Sequence, residues 1–197
     1  MSSILQDGAG TGNTAKVDAK NRLWTNSVTK TSVENATDTG TSYNLNTGVI
    51  NLTSANETAV MYFKNTDASN DIHISAIAIG LGPTTGGSGG IPKITVVRNP
   101  TGGTLLDTPT NIDINSNRNF SATDTITGNA YKGAEGETLT GGTDHIIIYQ
   151  VANGRLYANI DEKLANGASI GVEITPQPSN TSMDVYAALI CHTEDAV

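Results

Sequence analysis

The clearest hydrophobic patterning lies in the last third of the chain. Residues 145–151 hold three consecutive isoleucines, residues 169–175 alternate, and residues 183–191 are apolar over most of their length. Alternation is cleanest in the second run. Ile170, Val172 and Ile174 share one face of a two-residue repeat, while Gly171, Glu173 and Thr175 share the other. The pattern predicts a strand with one face in a core and one in water, and a shorter run at 155–160 sits between the first two. Upstream, residues 28–33 read as extended. Runs at 49–53 and 58–64, joined by four residues, read as a hairpin. Residues 72–81 predict a longer strand, with Ile72, Ile74, Ala76 and Ala78 on one face and His73, Ser75, Ile77, Ile79 and Leu81 on the other. Its second half is apolar on both faces, as is residues 185–190, which predicts a cover supplied by another segment or another subunit. Residues 91–98 form a further strand entered through Pro92, and residues 111–117 alternate with Ile112 and Ile114 inward. No helical periodicity emerges anywhere.

Composition narrows the class. Of 197 residues, 37% are hydrophobic and only 15% charged, so the polar remainder is mostly Thr, Asn, Ser and Gly. Disordered chains couple low hydrophobicity to high charge, which this chain lacks. The reading is an all-β, antiparallel double-sheet sandwich of the jelly-roll type. It forms a single domain over residues 25–197, preceded by a flexible N-terminal arm at 1–24. A net charge of −8 excludes nucleic acid as a partner, because phosphate binding needs clustered Lys and Arg. No apolar run reaches the length of a membrane helix. The first residues carry neither a basic region nor an apolar core, so synthesis in the cytoplasm without secretion is expected. The single cysteine, Cys191, lies among Ala187, Leu189 and Ile190 and reads as a buried, inert thiol.

Candidate chemistry is sparse. His73, His145 and His192 show no metal-ligand spacing, so a zinc site would have to be assembled from distant segments. Asp161–Glu162 and Glu135/Glu137 supply carboxylates but no geometry for glycoside hydrolysis. Gly86, Ser88 and Gly90 spell G-x-S-x-G, yet a nucleophile elbow needs a helix after it, and a strand follows. The oxygen side chains of Asn111, Asp113, Asn115 and Asn117 lack the glycine and closing glutamate of a calcium loop. No enzyme activity, cofactor or metal is expected. The stretch 15–24 concentrates Lys16, Lys20 and Arg22 beside Leu23 and Trp24, the only tryptophan, and these five are the candidate interface residues.

Residues 15–23, 98–103, 117–120 and 179–189 together resemble small virion structural proteins of tailed bacteriophages. The resemblance implies a jelly-roll decoration or cement protein that binds between major capsid subunits, commonly as a homotrimer. It would be made in the host bacterial cytoplasm and carried on the virion's capsid surface. Head fibres and tail components share the resemblance. The alternative is a carbohydrate- or receptor-binding module, with Tyr43, Tyr131 or Tyr157 as stacking platforms.

Overall fold

The structure, a computed structural model, describes residues 30–85, 91–176 and 182–195, with the backbone of four residues further upstream. The chain divides into two compact units, Met1–Thr31 and Ser32–Val197. In the first, β1 (Lys16–Val17) pairs antiparallel with β2 (Leu23–Trp24), with Lys16 opposite Trp24. Of the candidate interface residues, Lys20 and Arg22 lie outside the described residues. Only the backbone pairing of Lys16, Leu23 and Trp24 is described.

The second unit runs α1 (Ser32–Thr39), β3 (Ser42–Asn46), β4 (Ile50–Leu52), β5 (Thr58–Asn65), β6 (Asn70–Thr85), β7 (Lys93–Arg98), α2 (Thr104–Asp107), β8 (Thr110–Asn111) and β9 (Gly128–Lys132). It continues through β10 (Thr143–Tyr149), β11 (Gly154–Leu164), β12 (Ser169–Thr175) and β13 (Ser182–Asp195). Every strand pairing is antiparallel. One sheet has the order β10-β7-β12-β5-β9-β8; the other has β11-β6-β13-β3, with β4 also on β13. Their inner faces share one core, in which Phe63, Ile94 and Val172 of the first meet Leu45, Ile79 and Leu189 of the second. Full burial of such side chains contributes roughly 1.5–3 kcal/mol each. The expected all-β sandwich is therefore observed, with six and five strands rather than the four and four of a simple jelly roll.

Four local expectations are corrected. The runs at 49–53 and 58–64 are not a hairpin: β4 pairs with β13 in one sheet, and β5 with β12 and β9 in the other. The short connection crosses between layers, which two apolar runs and a link cannot reveal.

In β6, a register shift opposite β13 between Ile190 and Cys191 leaves Ser75 as an extra residue. This bulge resets the alternation, so Ile72, Ile74, Ile77, Ile79 and Leu81 all reach the core. Ala76, Ala78 and Gly80 are left on the outer face. They are small and lie low between taller neighbours: Tyr186 opposes Gly80 and Ile190 opposes Ala76. Burial of this row arises within the sheet and does not require a separate cover.

The segment read as extended up to residue 33 enters a helix at Ser32. The eight residues contain few strong helix formers and bury only Ala36, so no periodicity announces them. What holds the end is a Schellman closure. Gly40 takes φ +79°, Thr41 N–H donates to Ala36 C=O at 2.8 Å, and Gly40 N–H donates to Thr37 C=O at 3.3 Å.

Residues 112–117 form no strand. Asp113 Oδ1 accepts from Asn115 N–H at 2.8 Å and Asn117 Oδ1 from Asn119 N–H at 2.9 Å. The same two-residue turn recurs at Asn46, Asn65, Asp67 and Asn119. The Asn- and Asp-rich composition is thus turn chemistry. Asn117, expected outward, is buried and donates to the carbonyls of Gly40 and Asp124.

Candidate functional site

The two sheets differ on their outer faces. On the six-stranded sheet, α2 lays Leu105 over Ala59 and Tyr62 in a second apolar cluster, joined by Leu106, Tyr131 and Leu139. Tyr62 and Tyr131 stack at 5.7 Å, and burial pushes the Tyr62 phenol upward in pKa. A β-carbon on Gly171 would stand 2.3 Å from Leu139 Cδ1, so the loop side chain lies directly on β12. The polar face expected for β12 is therefore covered, and burial holds the Glu173 carboxyl above its usual pKa, with the charges of Glu57 and Asp144 adding to the shift.

The five-stranded sheet carries no second apolar cluster on its outer face among the described residues. Instead Tyr157 on β11 is 57% exposed and Phe120, in the loop beyond β3, is 99% exposed. Phe120 and Ile190 line a shared recess with Arg118 and Asn44. At one end of the face Tyr186, Arg155, Asn153 and Asp184 line a cavity of about 270 Å³ around Gly80 and Gly82. Along one side of the sandwich β10, of the six-stranded sheet, and β11, of the five-stranded sheet, each have only one neighbour, so both present open edges. Ile147, Tyr149 and Val151 are exposed on and just after β10. His145 Nε2 meets Glu162 Oε1 at 2.6 Å, tying the two edge strands together.

The candidate chemical groups distribute as follows. Tyr43 is in the core, its hydroxyl pKa raised by burial, and Tyr131 is half-buried in the second cluster, so of the three proposed platforms only Tyr157 is open. Asp161 and Glu162 face different histidines, His73 and His145. Glu135 accepts from Thr53 N–H at 2.6 Å and from the Ser54 hydroxyl, while Glu137 accepts from Ala134 N–H at 3.1 Å. The G-x-S-x-G residues, Gly86, Ser88 and Gly90, lie outside the described residues. Cys191 is buried as expected, and burial pushes its thiol up to about 12.

The histidines show no metal-ligand spacing in the sequence, but the fold brings two of them together. Antiparallel pairing of β6 with β13 sets His73 directly opposite His192, with ring centroids 4.8 Å apart. A separation of 119 residues hides this, because only the register of two distant strands brings them together. Comparison with known proteins found no match: no family model, no curated protein and no solved structure is similar to this chain.

Proposed function

We propose that the chain is a virion structural protein of a tailed bacteriophage, a capsid decoration protein that binds between major capsid subunits. The observation that carries this reading is the uncovered outer face of the five-stranded sheet, flanked by exposed Tyr157 and Phe120. Aromatic side chains at such positions are the anchors from which protein–protein contacts are built. The net charge of −8 and the resemblance described above support a protein partner over nucleic acid. A decoration protein that binds only the assembled, expanded shell stabilises that shell by mass action. Copies joined as a trimer would gain further from effective concentration, and the open edges of β10 and β11 are where copies would meet.

The test is co-sedimentation of purified protein with heads that lack it, from the phage encoding this chain. Wild type should saturate the heads, and Phe120→Glu combined with Tyr157→Glu should lose at least ten-fold in occupancy while keeping its β-rich circular dichroism. Full occupancy by the double variant overturns the reading. A second reading, a carbohydrate-binding module, is supported by the cavity at Tyr186, where an aromatic ring, a guanidinium and a carboxylate converge. Glycan-array binding that Arg155→Ala abolishes would favour it.

A further inference from the structure

We propose that His73, His192 and Glu194 form a binding site for a divalent transition-metal ion of the zinc class, at the opposite end of the outer face from the cavity. One nitrogen from each histidine and one Glu194 oxygen lie within 4.8 Å of one another. His192 Nε2 and Glu194 Oε1 are 3.0 Å apart. Tetrahedral zinc, with bonds of roughly 2.1 Å, holds neighbouring ligand atoms about 3.4 Å apart, so this pair stands within a few tenths of an ångström of ligand spacing. Two imidazoles and a carboxylate are the donor set that borderline cations select, whereas calcium and magnesium prefer oxygen.

The surroundings of His73 supply an independent observation. Its Nε2 is 3.1 Å from Asp161 Oδ1, while its Nδ1 is buried with no hydrogen-bond partner. A buried nitrogen without a partner is costly and calls for an explanation. With Asp161 accepting the Nε2 proton, the Nδ1 lone pair is the ligand atom, and metal coordination satisfies it. A carboxylate on the far nitrogen is the usual support for a ligating histidine. The backbone is shaped for this contact. Asp161 sits at φ +53° in a β11 bulge between Asn159 and Glu162, a left-handed conformation that Asp and Asn tolerate better than other non-glycine residues. On the other side, the β6 bulge puts Ser75 Oγ 3.4 Å from His192 Nδ1. Two bulges thus flank one histidine pair, and each aims a polar side chain at it.

The site is anchored and open at once. The His192 side chain is 2% exposed, whereas that of Glu194, the third ligand, is 42% exposed, so one side of the site is anchored and the other reaches solvent. Neighbouring cations are engaged elsewhere: Lys163 pairs with Asp71 at 2.6 Å, and Arg118 donates to Ser42 Oγ at 3.4 Å. The bound ion would clamp β6 to the far end of β13. The proposal does not depend on the virion reading.

Chelator-treated protein titrated with zinc chloride by calorimetry, and with cobalt(II) by visible absorption, tests the assignment. One equivalent of zinc should bind, with a tetrahedral cobalt spectrum and a raised Tm; calcium and magnesium at the same concentration should do neither. His73→Ala should weaken zinc binding at least 100-fold, and Asp161→Asn about 10-fold to 100-fold. His145→Ala, which removes the other histidine–carboxylate pair, should leave binding unchanged. Because His192→Ala risks unfolding a buried position, His73→Ala and Asp161→Asn carry the test. Absence of zinc binding by wild type, or wild-type affinity in His73→Ala, overturns the proposal.

Discussion

The two sheets of one sandwich have been finished in opposite ways. The middle of the six-stranded sheet is covered by its own chain, with Leu105 and Leu139 resting on Ala59, Tyr62 and Gly171, while its β10 edge stays open at Ile147 and Tyr149. The five-stranded sheet is left with small residues along its central strand, exposed aromatics at its flanks and a histidine pair at one end. Inner faces alone would not separate them, since both sheets feed a single core. The lesson is that two faces of equal pleat can differ in what lies over them: side chains packed under loops carry stability, and side chains left open do not.

The largest contrast should come from truncating one large side chain on each face. Leu105→Ala removes a fully buried group from the covered face and should cost about 2–5 kcal/mol in urea unfolding. Tyr157→Ala, on the open face, should stay within about 0.5 kcal/mol. Equal losses would erase the distinction between the faces.

Glycine replacements sharpen it further. A β-carbon at Gly171 meets Leu139, which packs against the second apolar cluster, so Gly171→Ala should cost about 1–3 kcal/mol. At Gly80 an added β-carbon would run into the Tyr186 ring. That ring borders open solvent and can swing aside, so Gly80→Ala should cost less than Gly171→Ala in the same assay. The reverse order would mean that Tyr186 is the more firmly held of the two.

The smallest effect concerns charge on the covered face. The folded-state pKa of Glu173 is raised above the ordinary glutamate value of 4.5, chiefly by burial. Between that value and the raised one, the folded state binds the extra proton, so stability falls as pH rises through this window. Glu57 acts in the opposite sense: its hydrogen bond to Lys93 lowers its pKa, and its contribution is lost as pH falls through the lowered value. Glu173→Gln keeps an acceptor for Leu139 N–H and should flatten the decline, with a gain under about 0.5 kcal/mol at neutral pH after solvent screening. Thermal melts from pH 4 to 7 read this directly, and an unchanged pH profile would show that the carboxyl is not buried by the loop.

Strand existence was legible because a half-buried strand must alternate. Residues 169–175 were readable in full as β12, and the other late runs were found within a few residues of β10, β11 and β13. Phase was less legible. The β6 alternation read across residues 72–81 assigned Ile77, Ile79 and Leu81 to the wrong side, because one bulged residue inverts every later position and leaves no mark in composition. Helix α1 escaped for a related reason: its stability comes from a glycine closure and one packed alanine, neither of which is periodic.

Local chemistry therefore set what each segment could become: alternating apolar residues for strands, Asn, Asp and Gly for turns, and one thiol among aliphatic neighbours destined for the core. Which strands became neighbours was settled only when the layers closed, since sheet pairing joins residues far apart along the chain. His73 and His192 face each other, and Asp161 reaches the same ring, through register alone; nothing near any of the three residues encodes that meeting.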